Sequence, residues 1–370
     1  MDDDARELER LAREEVEPRA RQGDPAYGRE LGARLAAGLA AAREQARTYE
    51  RGLAGVVRTL ALTPGRESVT QLLRLFVEHA PSAASGPGAR LVASFLADAQ
   101  RPEDLAELVF EHAGSDGLDD LRGCLFHELL LRGVDMESSW PLRSWPLVRP
   151  GWHALSWLPP ELRLIETGAA FPGWTPSTYT GASWDGLGSE GRVDPPTPRT
   201  AGRLALPDLA TVDVHEAITA APATGEFGAY GAWVFALDAP VAPERVPTLI
   251  PALPMACVED LGPTARFEIA RSPLDEIWSL LFTTASFGGV YGGAAYGAFG
   301  RWAAWRSLAG LSGAPGDASV AEVERRAERC VWFRFECDAP WFHNEIHDYG
   351  IVALSPDRRG VAVLAATDTD

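Results

Sequence analysis

Tyr349-Gly-Ile-Val-Ala-Leu354-Ser-Pro-Asp-Arg-Arg-Gly360-Val-Ala-Val-Leu-Ala-Ala366 decides the fold. Two apolar runs of strand length flank a segment in which Pro356, Asp357 and Gly360 are turn formers, so the stretch reads as a β-hairpin. A hairpin makes its two strands antiparallel neighbours. Upstream, further strand-like runs fall at 229–237, 265–269 and 331–337, and helical periodicity is found at 274–282, 295–311 and 320–330. Strands gathered at one end of the chain with helices grouped between them favour an α+β fold with a mainly antiparallel sheet over a doubly wound one.

The other half has a different texture. From Tyr27 to Leu60 apolar residues recur every three or four positions, the period of one helical face, which predicts a long amphipathic helix or a pair. Ser68 followed by Gln71 has capping-box spacing, and further helices are expected over 89–96, 102–113 and 118–132, with Gly114 and Gly133 at their C-terminal caps. This half reads as a bundle or an irregular α-solenoid, without a fixed repeat. Between the halves, residues 140–199 hold six of the 12 tryptophans and ten prolines. Prolines disfavour regular helix and large aromatics demand burial, so this stretch is expected to be an ordered wrap and not a free linker. The expected organisation is a helical domain over 1–138, the wrap over 139–201 and an α+β domain over 202–370.

Composition removes several function classes. The net charge is −18, which opposes the counterion release that drives nucleic-acid binding. All 34 basic residues are arginine. A P-loop, a protein kinase and a Schiff-base enzyme each need a lysine at the reacting centre, so none can be assembled in its standard form. No run approaches the ~20 apolar residues of a membrane span. With an acidic start, Met1-Asp-Asp-Asp4, and four widely spaced cysteines, the expectation is a cytoplasmic protein with reduced thiols.

Three constellations carry chemistry on paper. His343 and His347 stand four residues apart in Trp341-Phe-His-Asn-Glu-Ile-His-Asp348; on a helical turn they would share a face beside Asp348, a spacing that suits metal ligation and equally a polar surface. Thr284-Ala-Ser286-Phe-Gly288 is one residue off the nucleophile elbow of serine hydrolases. Glycines at 288, 289, 292, 293, 297 and 300 leave either a bare helix face for close packing or a loop whose N–H groups face an anion ahead of Arg301.

That glycine-rich run, the following Arg301-Trp-Ala-Ala-Trp-Arg-Ser-Leu308 and the terminal Gly360-Val-Ala-Val-Leu-Ala-Ala-Thr-Asp-Thr-Asp370 resemble an uncharacterised family of GC-rich actinomycete-type bacteria, one that bears only a domain-of-unknown-function label. The resemblance implies no reaction and no ligand. From the residues themselves the expectation is a non-enzymatic binding or interaction protein with a protein partner; the alternative is a metal-assisted hydrolase whose site is His343, His347 and Asp348.

Overall fold

The computed structural model describes residues 2–42, 46–79, 88–111, 118–166, 173–174, 179–180, 192–193, 204–262, 265–289, 293–343 and 348–368. The chain folds as α+β and forms two compact units, one from residues 1–156 with 172–180, the other from 157–171 with 181–370.

The first unit is helical: α1 (Asp2–Glu14), α2 (Val16–Arg21), α3 (Pro25–Ala41), α4 (Ala46–Leu62), α5 (Arg66–Glu78), α6 (Ala89–Ala99), α7 (Pro102–Leu105), α8 (Asp119–Leu131) and α9 (Trp140–Val148). The periodicity of 27–60 resolves into the pair α3 and α4, with Leu31, Leu35, Val56 and Leu60 buried along it. α7 runs on as a single π turn over Ala106–Phe110.

Two expectations fail in this unit. Ser68 and Gln71 are not a capping box, because α5 starts two residues before Ser68 and its N-cap is Gly65 at φ 133°. A conformation that far into positive φ favours glycine, and the Gly65 N–H is taken by the Gln100 side chain at 3.0 Å, so a distant residue does the work the local motif was expected to do. Helix also forms within the proline-rich stretch. α9 begins at Trp140 with Pro141 in its first turn, where an N–H would have no intrahelical acceptor, and it carries Pro146 at the loss of one internal bond.

The second unit is built on β3 (Arg192–Val193), β4 (Ala229–Ala236), β5 (Phe267–Arg271), β6 (Val331–Cys337), β7 (Tyr349–Leu354) and β8 (Gly360–Thr367), in the spatial order β3-β5-β6-β7-β8-β4 with every pairing antiparallel. The hairpin pairs Leu354 with Val361 and Tyr349 with Ala366, as the turn chemistry of 355–360 requires.

Alternation sorts the two faces. Val361, Val363 and Ala365 point with Phe235, Phe267, Phe333, Phe335 and Val352 into a core closed by the short turns around Val246, Ile250, Leu253, Met255 and Cys257. The opposite face carries Ala232, Ala353, Ala362 and Ala366 beside the larger Trp332, Tyr349, Ile351 and Leu364, and takes the helices α10 (Val212–Ile218), α13 (Leu274–Phe287) and α14 (Tyr296–Leu311), with α11 (Ala220–Thr224) packed on α13 and α14. α15 (Val320–Ala327) follows α14 and opens on a true capping box, with Ser319 and Glu322 exchanging bonds.

The segment Trp157–Glu166 is locked to α14 by charge. Glu166 and Arg301 are both 0% exposed, and Arg301 grips the carboxylate twice, Nε to Oε1 at 2.6 Å and Nη2 to Oε2 at 2.9 Å. Its remaining donors reach the carbonyls of Pro159 at 3.0 Å and Glu161 at 2.8 Å. Trp305 Nε1 and the Arg163 N–H complete the shell around Glu166 at 2.7 and 2.6 Å. A buried ion pair is tolerable only with this degree of satisfaction, and removing one partner strands the other charge. The family-like Arg301-Trp-Ala-Ala-Trp305 therefore has a structural role.

Among the described residues no helix is long and apolar enough to cross a membrane. All four cysteines are free and buried, and burial pushes the Cys330 thiol up to about 11, so these are packing residues and not reactive ones.

Arg301→Met is expected to destabilise the protein by about 3–5 kcal/mol. Arg301→Met/Glu166→Leu should cost clearly less than the sum of the two single changes. Chemical denaturation of the full chain measures both; strictly additive losses would mean that the two groups do not depend on each other.

Candidate functional site

His343 and Asp348 come together at one end of the sheet. Phe342, buried in the core against Phe335, anchors the chain after β6. Asp348 immediately precedes β7, and the pairing of Tyr349 with Ala366 brings it beside Thr367, the last residue of β8. The Thr367 hydroxyl donates to Asp348 Oδ1 at 2.6 Å, lies 3.2 Å from His343 Nδ1, and accepts from the His343 backbone N–H at 3.4 Å. A hydroxyl has one hydrogen to give; with that hydrogen on the carboxylate, Nδ1–H is the donor in a bond between the ring and the hydroxyl. His347 lies outside the described residues. Among the described residues no three His, Cys, Asp or Glu side chains gather as a metal shell. Cys337 does not contribute, because its sulfur points into the core, 3.7 Å from the Cys257 carbonyl.

On the helix side of the same sheet end, the described part of the glycine-rich run, residues 288–289 and 293–300, is a loop and then the start of α14. The Gly293 N–H donates to Glu226 Oε2 at 2.8 Å, and outside the run the Gly228 N–H donates to Asp368 Oδ1 at 2.9 Å. Gly289 is obligatory for space, since a Cβ there would stand 2.1 Å from Asp368 Oδ2. Gly300 answers the packing alternative, because a Cβ would come within 2.7 Å of the Ser286 Cβ on α13. Glu226 at φ 53° and Tyr296 at φ 58°, the latter within the run, are non-glycine residues in the left-handed region. Glu226 and Asp368 are the carboxylates that sequence reasoning missed; the glycines and the terminal acidic motif were both visible, but nothing local joins them.

Ser286 is not on an elbow. It sits in the last turns of α13, fully buried, with its hydroxyl given to the Phe282 carbonyl at 2.5 Å.

The second unit also has an open groove of about 500 Å³, inside the range of small-molecule sites. α10 contributes Val214 and Ala217, α14 contributes Arg306 and Ala309, and the sheet supplies a floor of Val234, Ala353 and Ala362. Gly310 makes it possible, since a Cβ there would lie 2.7 Å from the Ile218 backbone nitrogen and hold the two helices apart. The rim is the loop after α14, turned by Gly313 at φ 65° with Ala314 N–H returning to the Ala309 carbonyl at 2.9 Å. Trp157, fixed by its Nε1 bond to the Ala318 carbonyl at 3.0 Å, closes one end. Arg306 stands on the wall with its guanidinium 5.9 Å from the rings of both Trp157 and Trp302, and among the described residues it has no carboxylate partner within 4.0 Å. Asp213 is at the mouth, exposed.

Gly289→Ala is expected to cost about 1–3 kcal/mol, because the added methyl overlaps Asp368. Gly55→Ala, on a helix with nothing within 4 Å of the new Cβ, should instead gain up to about 1 kcal/mol. Thermal denaturation of the two variants reads the contrast, and equal effects would mean that the Gly289–Asp368 contact does not constrain the fold.

No curated protein and no solved structure matches the chain. A family model does, over residues 10–370, nearly the whole length, and it takes in both the helical half and the α+β half. The chain belongs to the family described as a family of unknown function, DUF6183.

Proposed function

We propose that this is a binding protein without covalent chemistry, whose groove beside α10 and α14 takes a small ligand with an apolar body and an anionic group. The observation that carries the reading is Arg306: a guanidinium on an otherwise apolar wall, held between two tryptophans and without an ion pair among the described residues. A cation flanked by two indole rings remains available to an anion, and a guanidinium matches a carboxylate in two parallel bonds. Alanine and valine on the floor supply the apolar contact.

Calorimetric titration with decanoate tests it. Binding to the wild type is expected, and Arg306→Gln should weaken it at least about tenfold, the worth of one charge-assisted hydrogen bond at ~1.4 kcal/mol. No heat with the wild type, or equal affinity in the variant, would sink the reading.

A second reading rests on the convergence of His343 and Asp348 at the Thr367 hydroxyl. It is a metal site completed by His347, serving hydrolysis. Elemental analysis of purified protein beside His343→Ala/His347→Ala tests this one; retained metal that the double variant loses supports it, and equal content in both, or none in either, removes it.

A further inference from the structure

Beside the groove lies a second hollow of about 360 Å³, lined by Arg325, Arg326 and Arg329. Pro315 and Ala318 belong to the walls of both, so the two hollows adjoin. Resting on the groove reading above, we infer that the ligand is a phosphate monoester, its apolar part on the alanine floor and its phosphate where the two hollows meet.

In a chain of net charge −18 the described arginines generally face carboxylates: on α15 itself Glu324 is taken by Arg163 at 2.5 Å, Arg271 meets Glu244 at 2.7 Å, and Arg66 meets Glu107 at 2.6 Å. Arg325, Arg326 and Arg329 are exposed and make no ion pair within 4.0 Å among the described residues. Asp317 and Glu322 share the hollow with them, and Glu322 Oε2 is already engaged by the Ser319 N–H at 2.9 Å and hydroxyl at 2.8 Å. Three guanidiniums therefore face two carboxylates, one of them committed to a helix cap. Three guanidiniums without ion-pair partners among the described residues attract a compact dianion more strongly than a single charge. A phosphate carries about −1.5 to −2 at neutral pH with three strong acceptor oxygens, whereas a carboxylate offers a single charge.

Calorimetry with monomeric decyl phosphate beside decanoate distinguishes the two levels of inference. Decyl phosphate is expected to bind at least about tenfold tighter than decanoate, with a steeper loss of affinity as salt rises. Arg325→Gln/Arg326→Gln/Arg329→Gln should abolish that advantage and leave decanoate affinity unchanged; Arg329→Gln, which lies beyond α15, serves alone if the triple variant fails to fold. Equal affinity of the two probes overturns the phosphate inference while the groove reading stands. Failure of both probes overturns both. Binding to phosphatidic-acid vesicles without binding of monomeric decyl phosphate overturns it as well, since the surface would then serve a lipid headgroup and not a free ester.

Discussion

The buried contact between Arg301 and Glu166 is what the second unit depends on. Two opposite charges fully out of water are a liability unless every lone pair and hydrogen is used, and here the carboxylate takes four donors while the guanidinium spends its surplus on two backbone carbonyls. Those carbonyls belong to Pro159 and Glu161, so the pair fixes the shape of the segment before it as well as its position on α14. Trp157 is the first residue of that segment in this unit, and Arg306 is five residues beyond Arg301 on the same helix. The end wall and the cation of the groove are thus both placed by one ion pair that neither of them touches.

The α+β half was legible because its signals are local. Turn formers between two apolar runs named the hairpin, and the expected strands at 331–337 and 349–354 coincide with β6 and β7, while the expected helix at 295–311 differs from α14 by one residue. Long-range features were not legible. Gly65 caps α5 through Gln100, 35 residues away, and no pattern around Ser68 could disclose it. Among the described residues 140–166 the tryptophan and proline stretch holds two kinds of structure, a helix that tolerates Pro146 and a segment clamped by Arg301, and the two belong to different units.

The candidate site was legible by residue type and not by geometry. His343 and Asp348 meet through the Thr367 hydroxyl at the end of β8, a contact that no pattern local to 341–348 discloses. Within the glycine run the Gly293 N–H faces the Glu226 carboxylate of the protein itself, and Gly300 packs against Ser286. Arg306 attracted no notice beyond its charge, because an arginine on α14 is ordinary until Trp157, 149 positions earlier in the chain, is brought beside it.

The alanine floor has a consequence for what the groove can admit. Ala353 and Ala362 sit on neighbouring strands in direct register, and with Ala217 and Ala309 they line the same space from sheet and helix alike. Depth at this point is set by the length of four side chains that have almost none. A larger residue at any one of them would shorten the cavity without disturbing strand pairing or the charge at its rim. The groove is in this sense a ruler whose graduations are single methyl groups, and members of the family that differ at these positions should differ in the depth of this groove.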